Sequence, residues 1–290
     1  MKISGFTIIK NAVINDYPVV EAIGSILPVV DEMIVSIGDS TDDTESLIRS
    51  IDSDKIKIIH SVWDSSLRKG GEVLAIETNK AFQHIAADAD WAFYIQADEA
   101  VHEKYHASIL EAANRYKDDK QVAGLLFKYL HFYGTYDYVG DSRKWYNREI
   151  RIIRNDKTIS SYKDAQGFRR NGNKLPVKPI DAWVYHYGWV KSPKQMFEKQ
   201  KNTSQFWHAT EEDWNKVRKE DFFDFKNHYD SLQRFTGTHP AAMQERIRRQ
   251  NWDIALDTKT KHFSFKDRIL YEIEKRTGKR LFDFQNYKII

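Results

Sequence analysis

The stretch FYIQADE, residues 93–99, runs an apolar segment straight into two adjacent carboxylates, Asp98 and Glu99. Carboxylates at the carboxyl end of a buried strand suit one chemical task well. They hold Mg²⁺ or Mn²⁺, hard cations that prefer oxygen ligands and bridge to phosphates. The plain alternative is a solvated acidic loop. Gln96, two places before Asp98, can hydrogen-bond hydroxyls as donor and acceptor but supplies no charge. A second polar group, SIGDSTDDT at residues 36–44, also follows an apolar run. There Asp39 would hydrogen-bond a base or ribose, while Asp42 and Thr44 fix the turn. The competing reading makes Asp42 a helix N-cap, paired with Glu45 three residues later. A third group, Lys10-Asn11, follows Ile3–Ile9.

These groups fall where strand-like segments end. Residues 3–9, 33–37, 56–59 and 91–96 are β-rich. Between them lie helical patterns. One is opened by Asp16 and Pro18, with Val19, Ile23, Ile26 and Leu27 on one face. Another carries Leu47, Ile48 and Ile51, and a third follows Gly70-Gly71 with Leu74, Ala81, Phe82 and Ile85. Strands alternating with helices of this length predict β-α-β units on a mainly parallel sheet. Such sheets bind ligands just beyond the carboxyl ends of their strands, so the three polar groups are expected to converge. Ile109, Leu110 and Ala113 suggest a further helix. Residues 122–132, 149–153 and 184–190 read as strands, the last with Tyr185, Tyr187 and Trp189 on one side and His186 on the other. After Pro193 the chain turns polar, aromatic and helix-like. The expected organisation is an α/β domain over residues 1–190 and a helical extension over 191–290.

Composition narrows the function classes. The absence of cysteine excludes disulfides, thiolate metal sites and a cysteine nucleophile. A net charge of only +3 lacks the basic bias of nucleic-acid binders. The apolar patch after Lys2 is too short for a secretory signal. The most apolar stretch, residues 19–37, is broken by Glu21, Pro28, Asp31 and Glu32, whereas a membrane span needs about 20 mostly apolar residues. A cytoplasmic protein is the expectation.

Together, Ser40-Thr41-Asp42-Asp43-Thr44 and Ala97-Asp98-Glu99 resemble the S-x-D-x-T and A-D-E motifs of family 2 glycosyltransferases of the GT-A fold, bacterial cell-surface polysaccharide type. WYNREIRIIR and YHYGWV add to that resemblance, which covers residues 1–190. It implies transfer of a sugar from a nucleotide-sugar donor to a glycan or lipid-linked acceptor, inverting and metal-assisted, with Mn²⁺ or Mg²⁺ as cofactor. A diphosphate is a poor leaving group unless its developing charge is neutralised, and a metal does this. The chain departs from the family after the first strand, where it keeps only Asn11, and before Ser40, where the base-reading acid is displaced onto Asp39. Gln96 replaces the first Asp of the metal motif.

The resemblance assigns Asp98 as direct metal ligand and His186 as the late histidine completing the shell. His102 and His106, a turn apart, are a second candidate pair. It assigns Asp164 as the base taking the acceptor hydroxyl's proton. Glu149 is the alternative base, although Arg148 and Arg151 beside it favour a structural ion pair. Asn11, Asp39, Asp42, Arg68, Gln96 and Asp98 form the nucleotide-sugar set. Lys69, Arg143, Lys144, Arg148 and Arg151 are further cations for the diphosphate, and Trp145 or Tyr146 could stack on a sugar. Residues 265–282 read either as a docked amphipathic helix or as a peripheral membrane contact. Rival readings are a non-catalytic binding protein of the same fold and a nucleotidyltransferase, although IIKNAVINDYP lacks the glycines of the latter's loop. Asp98→Ala is expected to abolish transfer without unfolding the protein; full activity in that variant would sink the metal assignment.

Overall fold

The computed structural model describes residues 1–67, 69–207 and 222–290. Strand β1 (Ile3–Ile9) is buried along its whole length. Helix α1 (Val19–Ile26) follows and leads to β2 (Glu32–Ile37), also fully buried. Helix α2 (Thr44–Arg49) then crosses to the half-buried β3 (Ile56–His60), and α3 (Glu72–Gln83) to β4 (Trp91–Tyr94). β2 pairs parallel with β1 and β3, and β4 pairs parallel with the other side of β1. Continuous apolar runs such as ISGFTII fit strands covered on both faces. The strand order reverses beside β1, which creates a crevice at the carboxyl ends of β1 and β4.

β5 (Glu99–Val101) follows β4 after a short turn and leads to α4 (His106–Arg115). The sheet is then extended by β6 (Gly124–Gly140) and β7 (Arg148–Arg154); β7 lies antiparallel between β4 and β6. A small separate sheet contains β8 (Ile159–Tyr162), β9 (Gly167–Arg170) and β10 (Asn173–Lys174). β11 (Pro176–Val190) returns to the main sheet, parallel to β6, and β5 packs antiparallel on its far side. α1 and α4 bury Ala22, Ile23, Ile26, Ile109 and Ala113 on one face, and α3 buries Val73, Ala81 and Phe82 on the other. Beyond Val190 come α5 (Pro193–Thr203), β12 (Leu232–Arg234), α6 (Gln244–Arg248), α7 (Phe265–Thr277) and β13 (Lys288–Ile289). β12 and β13 pair with β6 and β11. Among the described residues no helix is long and apolar enough to cross a membrane.

β6 and β11 run far past the lengths predicted from the sequence. Lys128 and His131 interrupt the apolar pattern of β6, and Pro176 and Pro179 that of β11, whose register against β6 shifts between Pro179 and Trp183. The expected grouping of Tyr185, Tyr187 and Trp189 on one side is also corrected. Tyr185 and Tyr187 pack together, but Trp189 turns to the crevice with His186. The register of β11 against β6 shifts between these residues, and one extra residue inverts the facing of all that follow.

One buried ion pair ties this frame together. Arg151 on β7 forks onto both carboxylate oxygens of Glu99, at 2.9 and 2.7 Å. Both side chains are fully excluded from solvent. Glu99 also accepts from the Tyr129 hydroxyl at 2.7 Å and from the Gln96 N–H at 3.0 Å. The ion pair expected between Glu149 and its neighbouring arginines is therefore replaced by a partner from another strand. Glu99→Gln or Arg151→Met leaves one buried charge uncompensated and is expected to cost about 3–5 kcal/mol in a urea denaturation series. A change below about 1 kcal/mol would contradict that role.

Candidate active site

A crevice of about 1020 Å³ opens where the carboxyl ends of β1 and β4 meet β11, the β8–β9 hairpin and α5. Asn11, Gln96, Asp98, Asp164 and His186 all line it. Five side chains separated by up to 175 residues are thus brought together as the strand ends predict.

Asp98 sits on the turn between β4 and β5. Its carbonyl accepts from the Tyr187 N–H at 2.7 Å, which fastens the turn to β11. Burial raises the carboxyl's pKa, but the Lys199 ammonium beside it leads the contributions that offset this and hold it down to about 2. Lys199, from α5, stands 3.2 Å from Asp98 Oδ2, donates to the Gly188 carbonyl at 2.9 Å and lies over the Tyr17 ring. His186 Nε2 is 3.7 Å from Asp98 Oδ1, too far for a hydrogen bond. Burial lowers the His186 pKa, against the opposing pull of Asp98. Gly188 keeps the space between them clear: a Cβ there would lie 2.6 Å from Asp98 Oδ2 and 2.7 Å from His186 Nε2.

That cleared space between a carboxylate oxygen and an imidazole nitrogen fits a divalent cation of the Mn²⁺ kind, which accepts both donor types. Among the described residues, no cluster of three or more His, Asp and Glu side chains could hold a metal ion. Asp98 and His186 are the two side chains here that could hold such a cation.

Asp164 lies at the tip of the β8–β9 hairpin, between Lys163 and Ala165, whose φ angles of 55° and 60° are in the left-handed region. Non-glycine residues rarely adopt that region, and such strain concentrates at working sites. Burial pushes the Asp164 carboxyl above its ordinary range, as a general base requires. The hairpin is held from two sides. Gln96 Nε2 donates to the Ala165 carbonyl at 3.4 Å, and Arg151 to the Gln166 carbonyl at 3.3 Å. Behind it, a Cβ at Gly71 would lie 2.7 Å from the Asp164 Cβ and 3.0 Å from the Trp207 ring.

Other candidate residues sit elsewhere. Asp39 does not line the crevice: Lys10 holds one oxygen at 2.7 Å and the Trp63 N–H the other at 2.9 Å. Asp42 accepts from the backbone N–H groups of Val13 and Ile14 and from the Thr44 hydroxyl. It laces two loops together, with Asn11 accepting from the Thr41 N–H at 2.8 Å and donating its own N–H to Ser40 Oγ. The capping pair of Asp42 with Glu45 does not form, because Asp43 is the N-cap residue and Glu45 turns to Arg49 and His60. Arg68 lies outside the described residues. Lys69 does not line the crevice. His102 and His106 face Thr238 and the Ser25 carbonyl separately. Arg143 pairs with Glu274, and Lys144 donates to the His228 carbonyl. Of the two stacking candidates, Tyr146 lines the crevice and Trp145 packs over Gly140.

Lys199, Tyr17 and Trp63 line the site and had no motif to mark them, while Gly188 lay within YHYGWV without a role assigned to it. The helix-like character after Pro193 was visible, but which lysine of α5 faces inward depends on the docking angle of the helix.

The strand order and the switch point define a mixed α/β fold with a mainly parallel central sheet and a crevice at the carboxyl ends of its strands. Among solved structures, the chain is similar to S. aureus TarS in complex with UDP-GlcNAc, at 14% identity over 76% of this chain and 71% of that one, with a TM-score of 0.38. It is also similar to glucosyl-3-phosphoglycerate synthase from Mycobacterium tuberculosis in complex with Mn²⁺, UDP and glucosyl-3-phosphoglycerate, at 23% identity, 46% and 45% coverage and a TM-score of 0.30. A third likeness is to 4-diphosphocytidyl-2C-methyl-D-erythritol synthase from Anaerococcus prevotii, at 13% identity, 53% and 71% coverage and a TM-score of 0.34. No protein-family model and no curated protein matches the chain.

Glu149 is buried beside Asn286 beneath Gly167 and does not line the crevice. Burial pushes its carboxyl up to about 8. The folded chain thus holds a proton that the unfolded chain releases near pH 4.3. The stability it contributes is complete below that pH and is lost as pH rises toward 8. Glu149→Gln is expected to flatten the fall in melting temperature between pH 5 and pH 8, gaining about 2–4 °C per kcal/mol recovered. An unchanged pH profile would show that Glu149 is already ionised in the fold.

Proposed function

We propose that the protein is a glycosyltransferase that moves a sugar from a nucleotide-sugar donor to a glycan or lipid-linked acceptor, inverting the anomeric carbon. The observation that carries this reading is the convergence of a charge-compensated carboxylate, Asp98, and a carboxylate of raised pKa, Asp164, in one crevice at the switch point. Two carboxylates whose environments push them apart suit two roles, one electrostatic and one basic.

In this mechanism Asp164 takes the proton from the acceptor hydroxyl as its oxygen bonds to the anomeric carbon. The bond from that carbon to the diphosphate breaks, and its electron pair leaves with the diphosphate. Asp98 and His186 would hold a divalent cation, which when bound neutralises charge on the leaving group. Lys199, the crevice cation nearest Asp98, donates to diphosphate oxygens. Gln96 hydrogen-bonds ribose hydroxyls, and Tyr146 offers its face to the sugar. The α7 surface, with Phe265 and Ile269 exposed among Lys266, Arg268 and Lys275, suits a peripheral contact with a membrane carrying a lipid-linked acceptor.

A thermal-shift screen of UDP-, GDP-, CMP- and dTDP-sugars with Mn²⁺ tests donor binding. A ligand at 100 times its Kd stabilises the fold by about 2.7 kcal/mol. Asp164→Asn is expected to keep the shift from the binding donor but lose about 10²–10⁴-fold in transfer rate. Because the base works deprotonated, wild-type activity falls with pH through a limb above the ordinary carboxylate value of about 3.9. Transfer by Asp164→Asn at the wild-type rate would exclude it as the base.

A further inference from the structure

His131 stands beside the site without lining it. It lies on β6 directly opposite His186 on β11 in the parallel register. The ring is buried, stacked between Tyr129 at 5.5 Å and Trp145 at 5.3 Å, with Tyr146 edge-on at 4.3 Å. Its Nε2 is 2.8 Å from the Tyr146 carbonyl oxygen, and its Nδ1 is 3.2 Å from His186 Nδ1. A carbonyl oxygen only accepts, so the His131 proton is on Nε2. In a neutral ring Nδ1 is then an acceptor, and the proton between the two histidines belongs to His186 Nδ1. His186 Nε2 is left as a bare lone pair beside Asp98, facing the space that Gly188 keeps open.

We propose that His131 is a positioning residue: it locks His186 in the Nδ1–H form and so presents the Nε2 lone pair, with Asp98, as a preformed divalent-cation site. This rests on the reading above that the crevice takes such a cation. The order of the relay runs from the Tyr146 carbonyl through His131 to His186. It does for an imidazole ligand what a carboxylate or carbonyl behind a metal-bound histidine does elsewhere, fixing tautomer and ring orientation at once. It also links the ligand to the aromatic residue that lines the same crevice, since Tyr146 supplies both the anchoring carbonyl and a ring on the crevice wall.

The test uses the metal-free full chain labelled with ¹⁵N-histidine. Two-bond ¹H–¹⁵N spectra at neutral pH are expected to show His186 protonated at Nδ1 and bare at Nε2. His131→Met removes the acceptor, and the His186 tautomer is expected to shift toward Nε2–H. Mn²⁺ affinity, read by electron paramagnetic resonance without any donor, is expected to weaken by about 10–100-fold. His131→Gln can donate to the carbonyl and accept from His186, so it is expected to restore both readouts. A wild-type His186 protonated at Nε2, or an unchanged tautomer in His131→Met, overturns the proposal; if the Met variant does not fold, the wild-type and Gln spectra still decide it. Failure of the wild type to bind Mn²⁺ would instead remove the cation reading, and the spectra of the metal-free chain would separate the two results.

Discussion

The Glu99–Arg151 ion pair is the constraint on which the rest of the site depends. A carboxylate and a guanidinium buried this deeply must satisfy one another, and each also anchors backbone. Glu99 holds the N–H of Gln96, at the start of the turn that carries Asp98. Arg151 holds the carbonyl of Gln166, at the foot of the hairpin that carries Asp164. One interaction therefore fixes the relative placement of the two carboxylates assigned to the reaction. Replacing such a pair by apolar residues is often neutral for stability, which is why its value here lies in geometry.

The electrostatics of the crevice follow from that frame. Asp98 is buried but ionised, because the Lys199 ammonium stands against it. Asp164 is buried with weaker compensation and shifts the other way. The difference comes from neighbours contributed by α5 and β11, elements far away along the chain. Lys199 itself is desolvated and held by the Gly188 carbonyl, so its ammonium is fixed in place beside Asp98.

Much of this was legible in the sequence. The alternation of apolar runs and helical patterns over residues 1–100 located β1 to β4 within a few residues, because strands covered on both faces carry unbroken apolar runs. FYIQADE placed Asp98 at a strand end, and YHYGWV brought His186 beside it. The polar functions within SIGDSTDDT were harder to read. Asp42, Ser40 and Thr44 spend their hydrogen bonds on the loop after β1, a shape role that residue types alone do not distinguish from ligand contact. Glu99 was read as half of an acidic pair, yet its partner comes from β7, 52 residues later. His131 sat inside a predicted strand, but its opposition to His186 depends on the register of β6 against β11. The small β8–β10 sheet escaped notice because its strands are too short and polar for a period of two to emerge.

Gly71 has a consequence of a mechanical kind. Its N–H donates to the Phe206 carbonyl at 2.8 Å, while its bare Cα faces Asp164 and the Trp207 ring. The start of α3, the tip of the hairpin and the end of the α5 wall therefore meet at one point where there is no room for a methyl group. The width of the crevice's mouth is set there by a single backbone atom. A side chain at position 71 would therefore push the hairpin that carries Asp164 away from the Trp207 ring.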